Sequence, residues 1–96
     1  ILENIDGCNS ILAYEPLWAI GSGESASSEV VFETHQKIRE MLIDLSLKNS
    51  QIPLLYGGSV TPLNAKELAA LDNVDGFLIG GASLNVDDFY NIFLEL

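Results

Sequence analysis

The chain has 96 residues, 48% of them hydrophobic, and four Lys and Arg against 14 Asp and Glu, for a net charge of −10. That length suits one globular unit or a piece of a larger one, without room for a second domain. Four cations cannot build the basic surface that nucleic acid or an anionic membrane requires, and the single cysteine, Cys8, excludes an internal disulfide and a cysteine-based zinc cluster.

Residues 1 to 10 read as the end of a preceding element and a turn, with Asp6-Gly7 and Asn9-Ser10 as breakers. The chain opens on Ile1 without a basic, signal-like start, and no run reaches the ~20 apolar residues of a membrane span. A segment that begins inside a longer chain, or that was processed or cut, is expected. A cytoplasmic setting fits the lone cysteine.

Ile11, Leu12, Ala13 and Tyr14 are apolar enough for a strand buried on both faces. Glu15 follows as a lone carboxylate. Pro16 then stops the strand, because proline lacks an N–H and disfavours helix in the residue before it. Leu17, Trp18, Ala19 and Ile20 are more apolar than a solvated loop needs, and Gly21-Ser22-Gly23 bends freely. Two readings stand: a lid that excludes water, or a loop whose Trp18 packs on the surface.

A long helix comes next. Ser27 or Ser28 can cap it, and Glu29 suits its positive end. Val31, Ile38, Met41, Leu42 and Leu45 recur at helical spacing and form its apolar face, with Glu33, Lys37, Arg39, Glu40 and Asp44 largely off it. His35 falls on that stripe, four after Val31, and reads as a buried structural histidine in preference to a catalytic one. The helix ends near Lys48-Asn49-Ser50.

Ile52 to Tyr56 makes a second strand, with Pro53 tolerable near its start, and Gly57-Gly58-Ser59 closes it. Thr61-Pro62 pairs an N-cap with proline at the first helical position, and Leu63, Leu68 and Leu71 carry a short helix to Asp72-Asn73. Phe77, Leu78 and Ile79 form a third strand, ended by Gly80-Gly81. A last helix runs from about Val86, capped by Asn85, with Phe89, Ile92, Phe93 and Leu96 inward.

Three successive βα units, 11–48, 51–72 and 74–96, call for parallel strands and right-handed crossovers. Three strands leave two open edges, so further chain is expected to complete the sheet. Alternation alone leaves open a doubly wound sheet or a (β/α)₈ barrel.

In either fold ligands bind at the carboxyl edge, and there the chain places Glu15, Gly57-Gly58-Ser59 and Gly80-Gly81. Glycine pairs let backbone N–H groups approach an anion, so a phosphate site is one reading; a plain strand-to-helix turn is the other. A carboxylate partly desolvated at a strand end suits a general base, against an ordinary surface acid. Trp18 and Tyr56 also fit a packing role. Neither Asp87-Asp88 nor Asp72-Asn73-Val74-Asp75 has calcium-loop spacing, and no metal site is expected.

Three motifs, Ala13-Tyr14-Glu15-Pro16-Leu17-Trp18-Ala19-Ile20-Gly21, Tyr56-Gly57-Gly58-Ser59-Val60 and Asp75 to Leu84, closely resemble the C-terminal part of the triosephosphate isomerase family. That family is itself a standard example of carboxylate base catalysis under a closing loop. The resemblance covers about Leu12 to the last helix. It implies the last three βα units of a (β/α)₈ TIM barrel, with 1–96 as the C-terminal part of one domain.

The resemblance also implies roles. Glu15 is the base in the cofactor-independent interconversion of dihydroxyacetone phosphate and glyceraldehyde 3-phosphate through an enediolate. Gly21, Ser59, Gly80 and Gly81 hold the substrate phosphate. Pro16 to Ala26 form the lid, with Trp18 in it, and Tyr56 latches it. Glu24 stands where the family most often has lysine at the lid's far hinge. The family's catalytic lysine and electrophilic histidine come from earlier strands, and His35 does not match that histidine. Its homodimer contacts also come from elsewhere, so the 96 residues alone are expected to be inactive and to need the remaining N-terminal barrel strands. A non-catalytic phosphate-binding part-barrel is the alternative, and a different phosphate-binding barrel enzyme a third possibility.

Overall fold

The computed structural model describes residues 10–16 and 27–96. Within them, strands and helices alternate: β1 (Leu12–Tyr14), α1 (Ser28–Leu45), β2 (Leu54–Tyr56), α2 (Ala65–Ala69), β3 (Gly76–Phe77) and α3 (Val86–Leu94). Short 3₁₀ turns at Leu47–Gln51 and Gly81–Leu84 lead into β2 and α3.

All three strands are parallel, in the order β1-β2-β3. Register pairs Leu12 with Leu54, Tyr14 with Tyr56 and Tyr56 with Phe77. The ladder continues past the strand ends, through Gly57 N–H to the Tyr14 carbonyl (2.8 Å) and Leu78 N–H to the Tyr56 carbonyl (3.0 Å). Pro53 costs nothing at the other end, because it is its carbonyl that is used, by Leu12 N–H at 3.0 Å.

Central β2 is the best covered strand, with Leu54 and Tyr56 fully buried. Edge strand β1 is only half-buried, which corrects the expectation of burial on both faces; a strand paired on one side lacks the neighbour that would cover it. The core gathers Val31, Tyr56, Val60, Ala65, Leu68, Val74 and Ile92, with Tyr14 and Phe77 packed against it.

The helices begin where side chains can replace missing backbone partners. Ser27 caps α1 by accepting from Val30 N–H (3.3 Å), and Asn85 caps α3 by accepting from Asp88 N–H (3.0 Å). α1 stops at Leu45, earlier than its composition suggests, and Asn49 turns back to donate to the Leu42 carbonyl at 3.0 Å. α2 starts late. Thr61 and Asn64 close a turn, with Thr61 N–H on Asn64 Oδ1 at 2.8 Å, so Thr61-Pro62 opens a turn and the helix follows at Ala65.

Burial along α1 follows a stripe that differs from the expected one: Val31, His35, Arg39 and Leu42 face inward. Met41 and Leu45 are about half exposed (48% and 50%), whereas Arg39, expected off the apolar face, is 9% exposed. On α3 only Ile92 is buried. Phe89, Phe93 and Leu96 instead line an apolar groove of about 290 Å³ beside Phe77, Leu78 and Ile79. β3 is also shorter than expected, since it ends at Phe77 and leaves Ile79 beyond the pairing.

Candidate active site

Because the strands are parallel and in register, their carboxyl ends meet at one level of the sheet. β1 delivers Glu15, β2 delivers Gly57-Gly58-Ser59, and β3 leads through Leu78 and Ile79 to Gly80-Gly81. The side chain of Glu15 is exposed at this edge, on a backbone held by the Tyr14 carbonyl and by the buried Pro16.

Gly57 is shaped by that acid. A Cβ placed on Gly57 would lie 2.6 Å from Glu15 Cγ and 3.4 Å from Cδ, so only glycine leaves the carboxylate its place. Gly58 has a different neighbour: a Cβ there would run into the phenol ring and hydroxyl of Tyr56. Both glycines therefore make room for side chains of the candidate site.

Gly80 and Gly81 differ again, because among the described residues no heavy atom beyond the adjoining residues lies within 4 Å of a Cβ built on either. The 3₁₀ turn Gly81–Leu84 that follows is closed by Ser83, whose N–H (2.9 Å) and hydroxyl (2.5 Å) both bond the Gly80 carbonyl. The first N–H groups of such a turn have no partner within it, and Gly80 and Gly81 are exposed. Ser59 is half-buried, and its carbonyl accepts from Asn64 Nδ2 at 3.0 Å.

Behind this edge sits His35, fully buried. Its Nδ1 lies 2.9 Å from the Asn73 carbonyl. A carbonyl can only accept, so Nδ1 carries the proton and Nε2, buried without a hydrogen-bond partner among the described residues, is the bare nitrogen. The imidazole meets Tyr14 edge-on (5.8 Å, 79°) and Tyr56 at a tilt (6.1 Å, 55°). Burial pushes its pKa below the usual 6.5, opposed by the Asn73 carbonyl and Asp75 and aided by Arg39.

At the opposite end of the sheet, Arg39 forms a hub. It pairs with Asp75 (2.8 Å) and donates to the carbonyls of Ile52 (2.5 Å) and Ser50 (3.2 Å) and to Asn73 Oδ1 (3.3 Å). Asp75 Oδ2 also accepts from Leu54 N–H at 2.8 Å, which ties the amino ends of β2 and β3 together. Asn73 adopts a left-handed φ of 67°, a conformation asparagine tolerates better than most residues. Arg39 and Asp75 escaped sequence reasoning because charged residues are assigned to solvent by default. The available signal was Arg39's place four residues beyond His35 on one helical stripe.

Trp18, Gly21, Glu24 and Ala26 lie outside the described residues, as do the rest of the expected lid after Pro16 and Cys8. Among the described residues no three His, Cys, Asp or Glu side chains cluster as metal ligands, and no helix is long and apolar enough to cross a membrane.

Comparison with known proteins places this geometry. The family model described as triosephosphate isomerase matches residues 1–96. The triosephosphate isomerase of Acinetobacter baylyi is 56% identical over 82 residues, 85% of this chain and 31% of that protein. The Helicobacter pylori triosephosphate isomerase is 50% identical over 93 residues, 95% of this chain and 37% of that one. The crystal structure of triosephosphate isomerase from Bartonella henselae superimposes with a TM-score of 0.81 at 42% identity, covering 96% of this chain and 37% of that one. The chain thus spans about a third of the length of these relatives. With its whole length matched and its strands superimposed, the chain belongs to the triosephosphate isomerase family, and its three βα units are part of a TIM barrel.

Proposed function

We propose that these residues are the last three βα units of a triosephosphate isomerase, and that the complete barrel interconverts dihydroxyacetone phosphate and glyceraldehyde 3-phosphate with Glu15 as base. The observation that carries the reading is Glu15 at the carboxyl edge, with Gly57 cleared of a side chain to accommodate it. The Glu15 carboxylate takes a proton from the carbon next to the carbonyl, leaving an enediolate. It then returns the proton to the neighbouring carbon while the hydroxyl proton passes to the former carbonyl oxygen, so no redox partner is consumed and no cofactor is required.

Gly80, Gly81 and Ser59 hold the substrate phosphate together with Gly21. The neutral N–H groups of the Gly80-Gly81 turn suit an anion even in a chain of net charge −10, and the space that the described residues leave open around both glycines supports this role. Pro16 to Ala26, including Trp18, close over the substrate, and Tyr56 latches them; its ring against Gly58, at the same edge as Glu15, suits that task. The groove beside β3 and α3 accommodates the N-terminal part of the barrel. That part also supplies the groups that polarise the carbonyl and the contacts of a homodimer, and the setting is the cytoplasm.

The test is reconstitution. The 96 residues alone should give no isomerase turnover, and addition of the complementary N-terminal barrel segment should restore it. The same mixture made with Glu15→Gln should stay inactive. Phosphate-ligand binding without turnover in the reconstituted barrel would favour a non-catalytic module instead.

A further inference from the structure

His35 is an expensive residue for the position it occupies. Its Nε2 is buried without a hydrogen-bond partner among the described residues, a state whose desolvation cost an aliphatic side chain would avoid. Packing alone therefore accounts poorly for it. Its surroundings indicate what it does instead.

Tyr14 and Tyr56 are register partners on adjacent parallel strands, so their rings share one face of the sheet, the face on which α1 packs. The next residues along each strand, Glu15 and Gly57, turn to the other face, where Gly57 lies against the Glu15 side chain. His35 meets both tyrosine rings and is itself anchored from behind by Nδ1 donating to the Asn73 carbonyl at 2.9 Å. It sits on α1, the first helix after the segment that carries Pro16 to Ala26.

We propose that His35 is a positioning residue: anchored on Asn73, its imidazole holds Tyr14 and Tyr56 side by side, and so fixes Glu15 and the Gly57-Gly58-Ser59 loop at the carboxyl edge. The inference rests on the reading of Glu15 as the base. It concerns the ring and its anchor together, and the two can be separated. His35→Asn keeps a donor toward Asn73 and loses the ring. His35→Phe keeps a ring between the tyrosines and loses the donor.

The experiment measures kcat and KM per folded molecule in the complete barrel carrying these residues, with melting temperatures alongside. His35→Asn should lower kcat about tenfold with KM little changed, because displacement of a reacting group by ~1 Å can cost up to 10²-fold in rate. His35→Phe should recover part of that loss. In a double-mutant cycle, His35→Asn and Tyr56→Leu should combine to less than the product of their separate effects on kcat. His35→Gln replaces the Asn variant if that does not accumulate folded, and His35→Tyr, which also keeps a ring, replaces the Phe variant. Unchanged kcat despite lowered melting temperatures, equal losses in the Asn and Phe variants, or strictly multiplicative effects in the cycle would each overturn the positioning role. If Glu15→Gln in the same barrel kept its turnover, the reading of Glu15 itself would fail; with that variant inactive, any of the earlier results removes only His35.

Discussion

At the scale of single residues, the candidate site is shaped by what is left out as much as by what is present. Gly57 gives its side-chain volume to Glu15, and Gly58 gives its own to Tyr56. Gly57→Ala should therefore push the carboxylate from its place while leaving the core intact. We expect a melting temperature close to the parent's and a kcat lowered about 10- to 100-fold, read from thermal denaturation and initial rates. His35 makes a second prediction. Its folded pKa is lowered by burial, so the unfolded chain binds the proton more readily than the folded one. Its contribution to stability is fully present above the unfolded pKa of 6.5, and it is lost as pH falls below that value toward the lowered folded pKa. The melting temperature should therefore fall between about pH 7.5 and pH 5.5, and less steeply in His35→Asn, whose replacement side chain does not titrate.

At the scale of elements, the helices depend on side chains that take over backbone bonding at their starts. Asn85 Oδ1 accepts at 3.0 Å and Ser27 Oγ at 3.3 Å. Asn85→Ala and Ser27→Ala should each cost about 1 kcal/mol, with Asn85 the larger, as measured by denaturant unfolding. Both caps were legible in the sequence, as were the ends of β1 and β2, because proline, glycine and capping residues act through their own backbone chemistry. Burial was less legible. Arg39 is buried on a helix face that composition assigns to Val, Met and Leu, since its charge is met by Asp75 and by main-chain carbonyls of a segment distant in sequence. Such partners have no local signature. Asp75→Ala removes the only carboxylate on Arg39 among the described residues and leaves the guanidinium to carbonyls. It should cost about 2 kcal/mol by the same unfolding assay, a discounted figure because Asp75 is half exposed.

At the scale of the whole molecule, the parallel order β1-β2-β3 follows from the alternation of strand and helix signals, and the alignment of Glu15, Gly57-Gly58-Ser59 and Gly80-Gly81 follows from that order. The choice between an open sheet and a barrel does not, because alternating strands and helices are common to both. Superposition on a triosephosphate isomerase resolves it in favour of the barrel. Phe89, Phe93 and Leu96, apolar at helical spacing, line a groove instead of a closed core. Periodicity reports which face of a helix is apolar. It does not report whether the partner for that face lies within the same 96 residues.

The assignment of Glu15 as the base is tested most directly by kcat of Glu15→Gln in the complete barrel, with affinity for a phosphate-bearing competitive inhibitor measured in parallel. The amide cannot accept the proton, so kcat should fall by about 10²- to 10⁴-fold while inhibitor affinity stays within a few-fold of the parent's. Turnover at the parental rate would contradict the assignment.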